Sequence, residues 1–180
     1  MHLKFLFGAI SKHGFVPEGF GASTGIPLLK DKAGNVTDIH SYRAITLVPV
    51  ISKLFEGVIL KFYEAILVTD QLQFGFRQNS GCADALFALK TTISHFIANG
   101  SSVFAASLDH SKAFDRVNHF KLYNSMLSTG IPVYIVNVLC NWYSKLLVSV
   151  RWNDGLAGSS SVGSCVRQGS ALSPAILMFS

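Results

Sequence analysis

Val103-Phe104-Ala105-Ala106-Ser107-Leu108-Asp109-His110-Ser111-Lys112-Ala113-Phe114-Asp115 is the stretch on which the fold assignment turns. Val103 to Leu108 reads as a buried strand of small and β-branched residues, and Ser111 to His119 as a turn entering a short helix. Asp109 is therefore expected at a strand end, beside a loop. In mixed α/β folds the crevice outside strand C-termini is a common ligand site. A carboxylate placed there is a credible ligand for a hard divalent cation. The ordinary alternative is that such an aspartate only caps a turn or helix, and the local pattern by itself favours that alternative.

N-terminal to this stretch, Leu3 to His13 predicts a short helix, and Gly14, Pro17, Gly19, Gly21 and Gly25 a broken connection of turns. Residues 1–25 are thus read as a helical remnant and its connection. Ile26 to Lys30 and Ala44 to Val48 predict two strands of a long hairpin, with Ala33-Gly34-Asn35 at the turn and basic residues at its ends. Ser52 is expected to cap a helix from Lys53 to Leu67 that presents Leu54, Val58, Phe62 and Ala65 on one apolar face. Ala83 to Ala98 predicts a second helix, with Leu86, Leu89, Ile93 and Phe96 at helical spacing and Asn99-Gly100 as its stop.

Beyond Asp109, helices are predicted over Phe114 to Ser128 and Val133 to Tyr143, split by Gly130-Ile131-Pro132. Leu146 to Trp152 alternates like a strand, Asn153-Asp154-Gly155 turns the chain, and Ser161 to Val166 is expected to return as its partner. Ala171 to Phe179 has helical character without a cap, so the chain is expected to be part of a larger one.

Of the 180 residues 49% are hydrophobic and 14% charged. The mean hydropathy of +0.39 suggests a surface covered by other segments. A spanning helix is not indicated, because Ile131 to Val150 is broken by Asn137, Asn141 and Lys145 and falls short of the roughly 18 apolar residues one needs. Phe5 to Ile10 is too short for a signal-peptide core, so the chain is not expected to be secreted. The net charge of +5 is spread along the chain and permits a polyanionic partner. Cys82, Cys140 and Cys165 lie far apart without metal-ligand spacing, which fits a reducing intracellular setting. The six histidines show no metal-ligand spacing either.

Four blocks in order resemble the reverse transcriptase of a non-LTR (LINE-type) retrotransposon. The first is Ile26-Pro27-Leu28-Leu29-Lys30, and the second Tyr42-Arg43-Ala44-Ile45-Thr46-Leu47 with Ser52-Lys53-Leu54-Phe55-Glu56. The third is Gln73-Phe74-Gly75-Phe76-Arg77 with Asp84-Ala85, followed by Ser107 to Asp115; the fourth is Val166-Arg167-Gln168-Gly169-Ser170-Ala171-Leu172-Ser173-Pro174. The resemblance implies an α+β right-hand polymerase fold, with residues 26–180 forming the fingers and the N-terminal part of the palm, truncated before the second metal motif. It implies RNA-directed DNA polymerase activity on an RNA template, a DNA primer and deoxynucleoside triphosphates, in the cytoplasm and nucleus, with no membrane partner.

By that resemblance, Asp109 matches the first metal carboxylate, and the backbone carbonyl of His110 completes its half of a cage for Mg2+, two ions being used by the intact parent. Phe114 matches the aromatic under the incoming sugar, where a ring excludes a 2′-hydroxyl; read alone, it is a core residue on the first turn of a helix. Lys30 and Arg43 match cations that grip the triphosphate, and Gln168-Gly169 the loop along the nascent pair and the nucleotide sugar. Arg77 is expected on template backbone or nucleotide, with Gly75 allowing close approach. The resemblance also implies an aromatic-Ala-Asp-Asp turn after the fourth block, and no Asp-Asp pair occurs in the 180 residues. The fragment is therefore expected to be inactive alone, and a second reading is a non-catalytic RNA-binding relic that retains the basic fingers. Trp142, Tyr143 and Trp152 are expected as packing residues, and His110 and His119 as neutral turn or helix residues.

Overall fold

A computed structural model of the chain describes residues 1–63, 72–77, 79–109 and 113–177. They fall into two compact units, Met1–Leu67 with Ala113–Ser180, and Val68–Lys112. Among the described residues no helix is long and apolar enough to cross a membrane.

The larger unit is built on a mixed sheet. Strand β1 (Ala22–Leu29) pairs antiparallel with β2 (Tyr42–Leu47), from Thr24 opposite Leu47 to Leu29 opposite Tyr42. The hairpin expected from the sequence is present, although β1 starts four residues earlier than predicted. On its other side β1 runs parallel to β3 (Leu147–Trp152), from Ala22 opposite Leu147 to Gly25 opposite Val150. This pairing brings residues more than a hundred positions apart into one sheet, as only a long crossover can. The start of β1 passes so close to the chain entering β3 that a β-carbon on Gly21 would lie 2.1 Å from the carbonyl oxygen of Lys145. Glycine is required there for contact, not for turning.

After β3 the chain reverses over Asn153-Asp154, with Asn153 at φ 49°, the left-handed conformation such two-residue hairpin turns demand. The return strand β4 (Gly155–Leu156) follows at once, and β5 (Ser160–Ser161) then pairs with Leu147 and Val148. The predicted return over Ser161 to Val166 is thus displaced toward the turn, because a two-residue turn starts pairing immediately.

Helices α1 (His2–His13), α2 (Val50–Tyr63), α4 (His119–Ser128), α5 (Val133–Tyr143) and the short α6 (Ser173–Leu177) complete this unit. Phe20, Phe55 and Trp142 form an aromatic triangle at its centre, with ring centroids 5.7 to 6.2 Å apart, and Leu122, Val138 and Leu139 are fully buried around it. The predicted single helix from Phe114 is broken: Ala113–Arg116 make a 3-10 turn, and α4 starts after Asn118, whose side chain accepts from the Lys121 amide at 3.1 Å. Asparagine favours that capping position over a helix interior.

Helix α2 departs from the sequence reading in a way that matters for the site. It begins at Val50, and Ser52 is not its cap but a buried residue whose hydroxyl donates to the Phe20 carbonyl at 3.1 Å. Its buried face is Ser52, Phe55, Glu56 and Ile59. The expected face is mostly exposed instead: Leu54 is 49% and Phe62 79% exposed, Val58 is half-buried, and Ala65 lies outside the described residues. Hydrophobic periodicity selects the wrong stripe because the correct one carries two polar side chains, each with buried partners.

In the smaller unit, α3 (Cys82–Ala98) starts after Gly81, whose amide donates to the Asp84 carboxylate at 2.8 Å. The helix matches expectation, but none of its residues is buried, and Leu86 is 65% exposed. The predicted strand Val103–Leu108 is not formed. No described strand pairs with it, and Phe104 and Leu108 are almost wholly exposed. Its composition suits burial, yet a strand exists only through a ladder partner that takes up its N–H and C=O groups.

Candidate functional site

The β1–β2 hairpin carries two of the expected cations. The Lys30 amide donates to the Ser41 carbonyl at 2.8 Å, and its ammonium folds back to donate to the His40 carbonyl at 2.7 Å. Arg43 stands opposite Leu28 on β2 and is exposed. The loop between them is tied to itself. Asp31, Asn35 and Asp38 each accept an amide two residues on, at 2.9 to 3.1 Å, and the Tyr42 hydroxyl donates to the Val36 carbonyl at 2.9 Å. These short side-chain turns hold the loop without a core of its own. The Tyr42 ring packs on Trp152, centroids 5.0 Å apart, so Trp152 serves as a packing surface although half of it is exposed. Trp142 and Tyr143 are core residues, as expected.

The Gln168–Gly169 turn is docked on the same strand. Thr46, three positions along β2 from Arg43, donates its amide to the Gln168 carbonyl at 2.7 Å. Gly169 has φ 116°, and a β-carbon on it would lie 2.5 Å from the Thr46 carbonyl oxygen. Both the conformation and the space therefore demand glycine. Upstream, the Val166 amide donates to the Phe114 carbonyl at 2.9 Å, and Phe114 is half-buried against the core on its 3-10 turn. His119 Nε2 lies 2.8 Å from the Cys165 carbonyl, with its ring stacked on Tyr143. Burial pushes the Cys165 thiol pKa up, Asp115 adding to the rise and Arg167 opposing it, so this sulfur stays a thiol rather than a reactive thiolate.

Under the turn lies a charged pair that the sequence reading passes over. Glu56 on α2 is 1% exposed and Arg167 3%. Glu56 Oε1 accepts from Arg167 Nη2 at 3.1 Å and from the Ser170 hydroxyl at 2.7 Å, while Oε2 accepts from the Ala171 amide at 2.7 Å. Arg167 Nη1 donates to the Phe20 carbonyl at 3.0 Å, as Trp142 Nε1 also does, and the guanidinium lies over the Trp142 ring. Arg167 Nε and the Ser173 hydroxyl are buried with no partner among the described residues. A sequence signal for the pair existed: Glu56 follows the apolar Leu54-Phe55 and Arg167 follows Val166, in a chain with only ten acids.

An apolar cavity of about 450 Å3, lined among others by Phe7, Val58, Phe62 and Tyr134, lies elsewhere in the larger unit and shares no residue with this site.

Lys30, Arg43, Phe114, Gln168 and Gly169 all belong to the larger unit, where Gln168 and Gly169 meet β2 at Thr46, Phe114 holds Val166 two residues before the turn, and Lys30 lies at the far end of the hairpin. Asp109 and Arg77 belong to the smaller unit, where both are exposed. His110, the expected second metal ligand, lies outside the described residues. A β-carbon on Gly75 would meet nothing within 4 Å, and the left-handed residue of that block is Phe76, at φ 57°. Among the described residues no three His, Cys, Asp or Glu side chains converge as metal ligands would.

Residues 30–180 match the family described as reverse transcriptase (RNA-dependent DNA polymerase). The chain is 30% identical over 97% of its length to a probable RNA-directed DNA polymerase from transposon X-element of Drosophila melanogaster, of which it covers 19%. It is 28% identical, over 97% of its length and 19% of the relative's, to the RNA-directed DNA polymerase from mobile element jockey of the same organism. A Pol polyprotein from a type-2 retrotransposable element of Drosophila melanogaster is 28% identical over 75% of this chain and 13% of its own length. The chain therefore spans about a fifth or less of these relatives.

Proposed function

The chain belongs to the reverse transcriptase (RNA-dependent DNA polymerase) family, and from that membership we propose that residues 26–180 are the fingers and first half of the palm of a retrotransposon RNA-directed DNA polymerase. Residues 1–25 lead into it as a helical connection. The observation that carries the proposal is the bond from the Thr46 amide to the Gln168 carbonyl, which sets the Gln168–Gly169 turn on the strand that bears Arg43.

In this function Lys30 and Arg43 hold the triphosphate of an incoming deoxynucleotide. Arg43 offers a forked donor to phosphate oxygens, and Lys30 a point charge that must exchange the His40 carbonyl for phosphate. Phe114 lies under the sugar and rejects a 2′-hydroxyl by collision. The Gln168 amide donates and accepts along the nascent pair, and Gly169 keeps that surface flat. Arg77 contacts template backbone or nucleotide, and Asp109, with the His110 carbonyl, is the metal-binding acid.

Magnesium supplies charge neutralisation in such nucleotidyl transfer. The donors present do not fit two ions, because one carboxylate and one carbonyl leave most of each octahedral shell unfilled and the repulsion between the ions uncompensated. The isolated polypeptide is inactive, and the intact parent carries the remaining ligands.

Primer extension on an RNA template with the four deoxynucleotides tests the inactivity, and photolabelling with deoxythymidine triphosphate tests the nucleotide site. We expect no extension, and labelling that Arg43→Ala lowers several-fold. Robust extension dependent on Asp109 would overturn the inactivity, and labelling indifferent to Arg43 would overturn the site. A second function, RNA binding without catalysis, is favoured by the net charge of +5 and the exposure of Arg43 and Arg77.

A further inference from the structure

We propose that Glu56 is the positioning residue of the Gln168–Gly169 turn. This inference rests on the turn being the nucleotide-facing loop only for its functional consequence; the positioning itself follows from geometry. The two carboxylate oxygens of Glu56 take donors from both sides of the turn, Arg167 before it and Ser170 and Ala171 after it, and leave Gln168 and Gly169 as the two residues between. A turn held at both shoulders by one buried group has little freedom to pivot. The turn also carries its own bond, from the Ser170 amide to the Arg167 carbonyl at 3.1 Å, and at the apex Gln168 takes the Thr46 amide and Gly169 fits against the Thr46 carbonyl. Glu56 thus fixes from below, through α2, where the turn meets β2.

A carboxylate suits this task and its amide does not. All three partners are donors, and a carboxylate accepts at both oxygens. In Glu56→Gln one end becomes an NH2 group that faces either the Ala171 amide or the Arg167 and Ser170 donors, so at least one donor N–H beside the turn loses its acceptor in nearly the same volume. Burial in place of an exposed site raises the consequence, since an unmatched donor there has no water to turn to.

The test is amide hydrogen exchange by NMR on the full 180-residue chain, with Thr46 as reporter and Leu147, whose amide bonds to the Gly21 carbonyl in the same sheet, as control. In Glu56→Gln we expect Thr46 exchange to rise roughly tenfold or more while Leu147 is unchanged, the pattern of a local opening. Ser170→Ala, which removes one shoulder contact and leaves the Arg167 pair intact, should move Thr46 in the same direction by less. If Glu56 only balanced the Arg167 charge, Ser170→Ala would leave Thr46 untouched, and that result overturns the proposal. So does unchanged Thr46 exchange in a folded Glu56→Gln chain. Should Glu56→Gln fail to fold, the Ser170→Ala result decides alone. Deoxythymidine triphosphate photolabelling runs in parallel: its absence in the unmodified chain counts against the nucleotide site only, and Thr46 still judges Glu56.

Discussion

Gly169 and Thr46 meet so closely that no side chain fits between them: a β-carbon on Gly169 would stand 2.5 Å from the Thr46 carbonyl oxygen, in a residue whose φ of 116° already disfavours any other amino acid. Backbone meets backbone here, and neither can swing aside as a flexible side chain would. Gly169→Ala is expected to lift the turn off β2 and to cost about 1–3 kcal/mol, the range for a strained backbone position. Urea denaturation measures the cost, and faster exchange at the Thr46 amide locates it. A variant as stable as the parent, with Thr46 still protected, would show that the contact is not close-packed in solution.

The two faces of α2 make opposite predictions. Phe55 is 1% exposed and touches the rings of Phe7, Phe20 and Trp142, whereas Phe62, on the face favoured by hydrophobic periodicity, is 79% exposed. Phe55→Ala should therefore destabilise the chain by about 3–5 kcal/mol, and Phe62→Ala by no more than about 0.5 kcal/mol. Equal urea midpoints for the two variants would mean that the helix is rotated from the orientation described.

That contrast also marks how far the sequence could be read. Elements whose pattern is local were legible: Val133–Tyr143 was predicted to the residue, and the β1–β2 hairpin with its Lys30 and Arg43 appears as expected. What was not legible depends on partners distant in sequence. Glu56 and Ser52 break the apolar stripe of α2, and only Arg167, Ser170 and Phe20, thirty or more positions away, explain why that stripe is the buried one. Val103–Leu108 failed in the opposite sense, because its residues are right for a buried strand while no described strand pairs with it. The site divides along the same line. Gly169 and Gln168 were found through a family resemblance, but the need for glycine at 169 appears only once Thr46 is beside it.

Alkaline pH should unfold the larger unit from within. Burial holds the Tyr143 hydroxyl far above its ordinary pKa of 10.0; Arg167 pulls in the other direction, and Glu56 adds to the rise. Tyr123 is raised as well, chiefly by burial. A raised pKa in the folded state means that the unfolded chain gives up its proton first as pH climbs past about 10. The stability contributed by the buried neutral phenol is then complete below pH 10 and is lost progressively above it, at up to about 1.4 kcal/mol per pH unit for one such group. Tyr143→Phe retains the ring beside His119 but has nothing to ionise, so its stability should fall less steeply between pH 10 and 11.5. Chemical denaturation across that range gives the two slopes, and parallel slopes would assign the alkaline loss to other groups.

Salt dependence separates phosphate contact from apolar association at the hairpin. Arg43 is exposed, whereas the Lys30 ammonium is engaged by the His40 carbonyl at 2.7 Å. If both reach phosphates, Arg43 does so at little internal cost, and Lys30 must first give up a hydrogen bond. Arg43→Ala should therefore weaken binding of a single-stranded RNA more than Lys30→Ala, and should lower the slope of log K against log salt by about 0.7, the share of one phosphate on a single strand. Fluorescence anisotropy from 50 to about 200 mM salt measures both. A weaker Arg43→Ala complex with an unchanged slope would mean that the guanidinium acts by stacking or packing, and the triphosphate-gripping role assigned to it would then have to move to another cation.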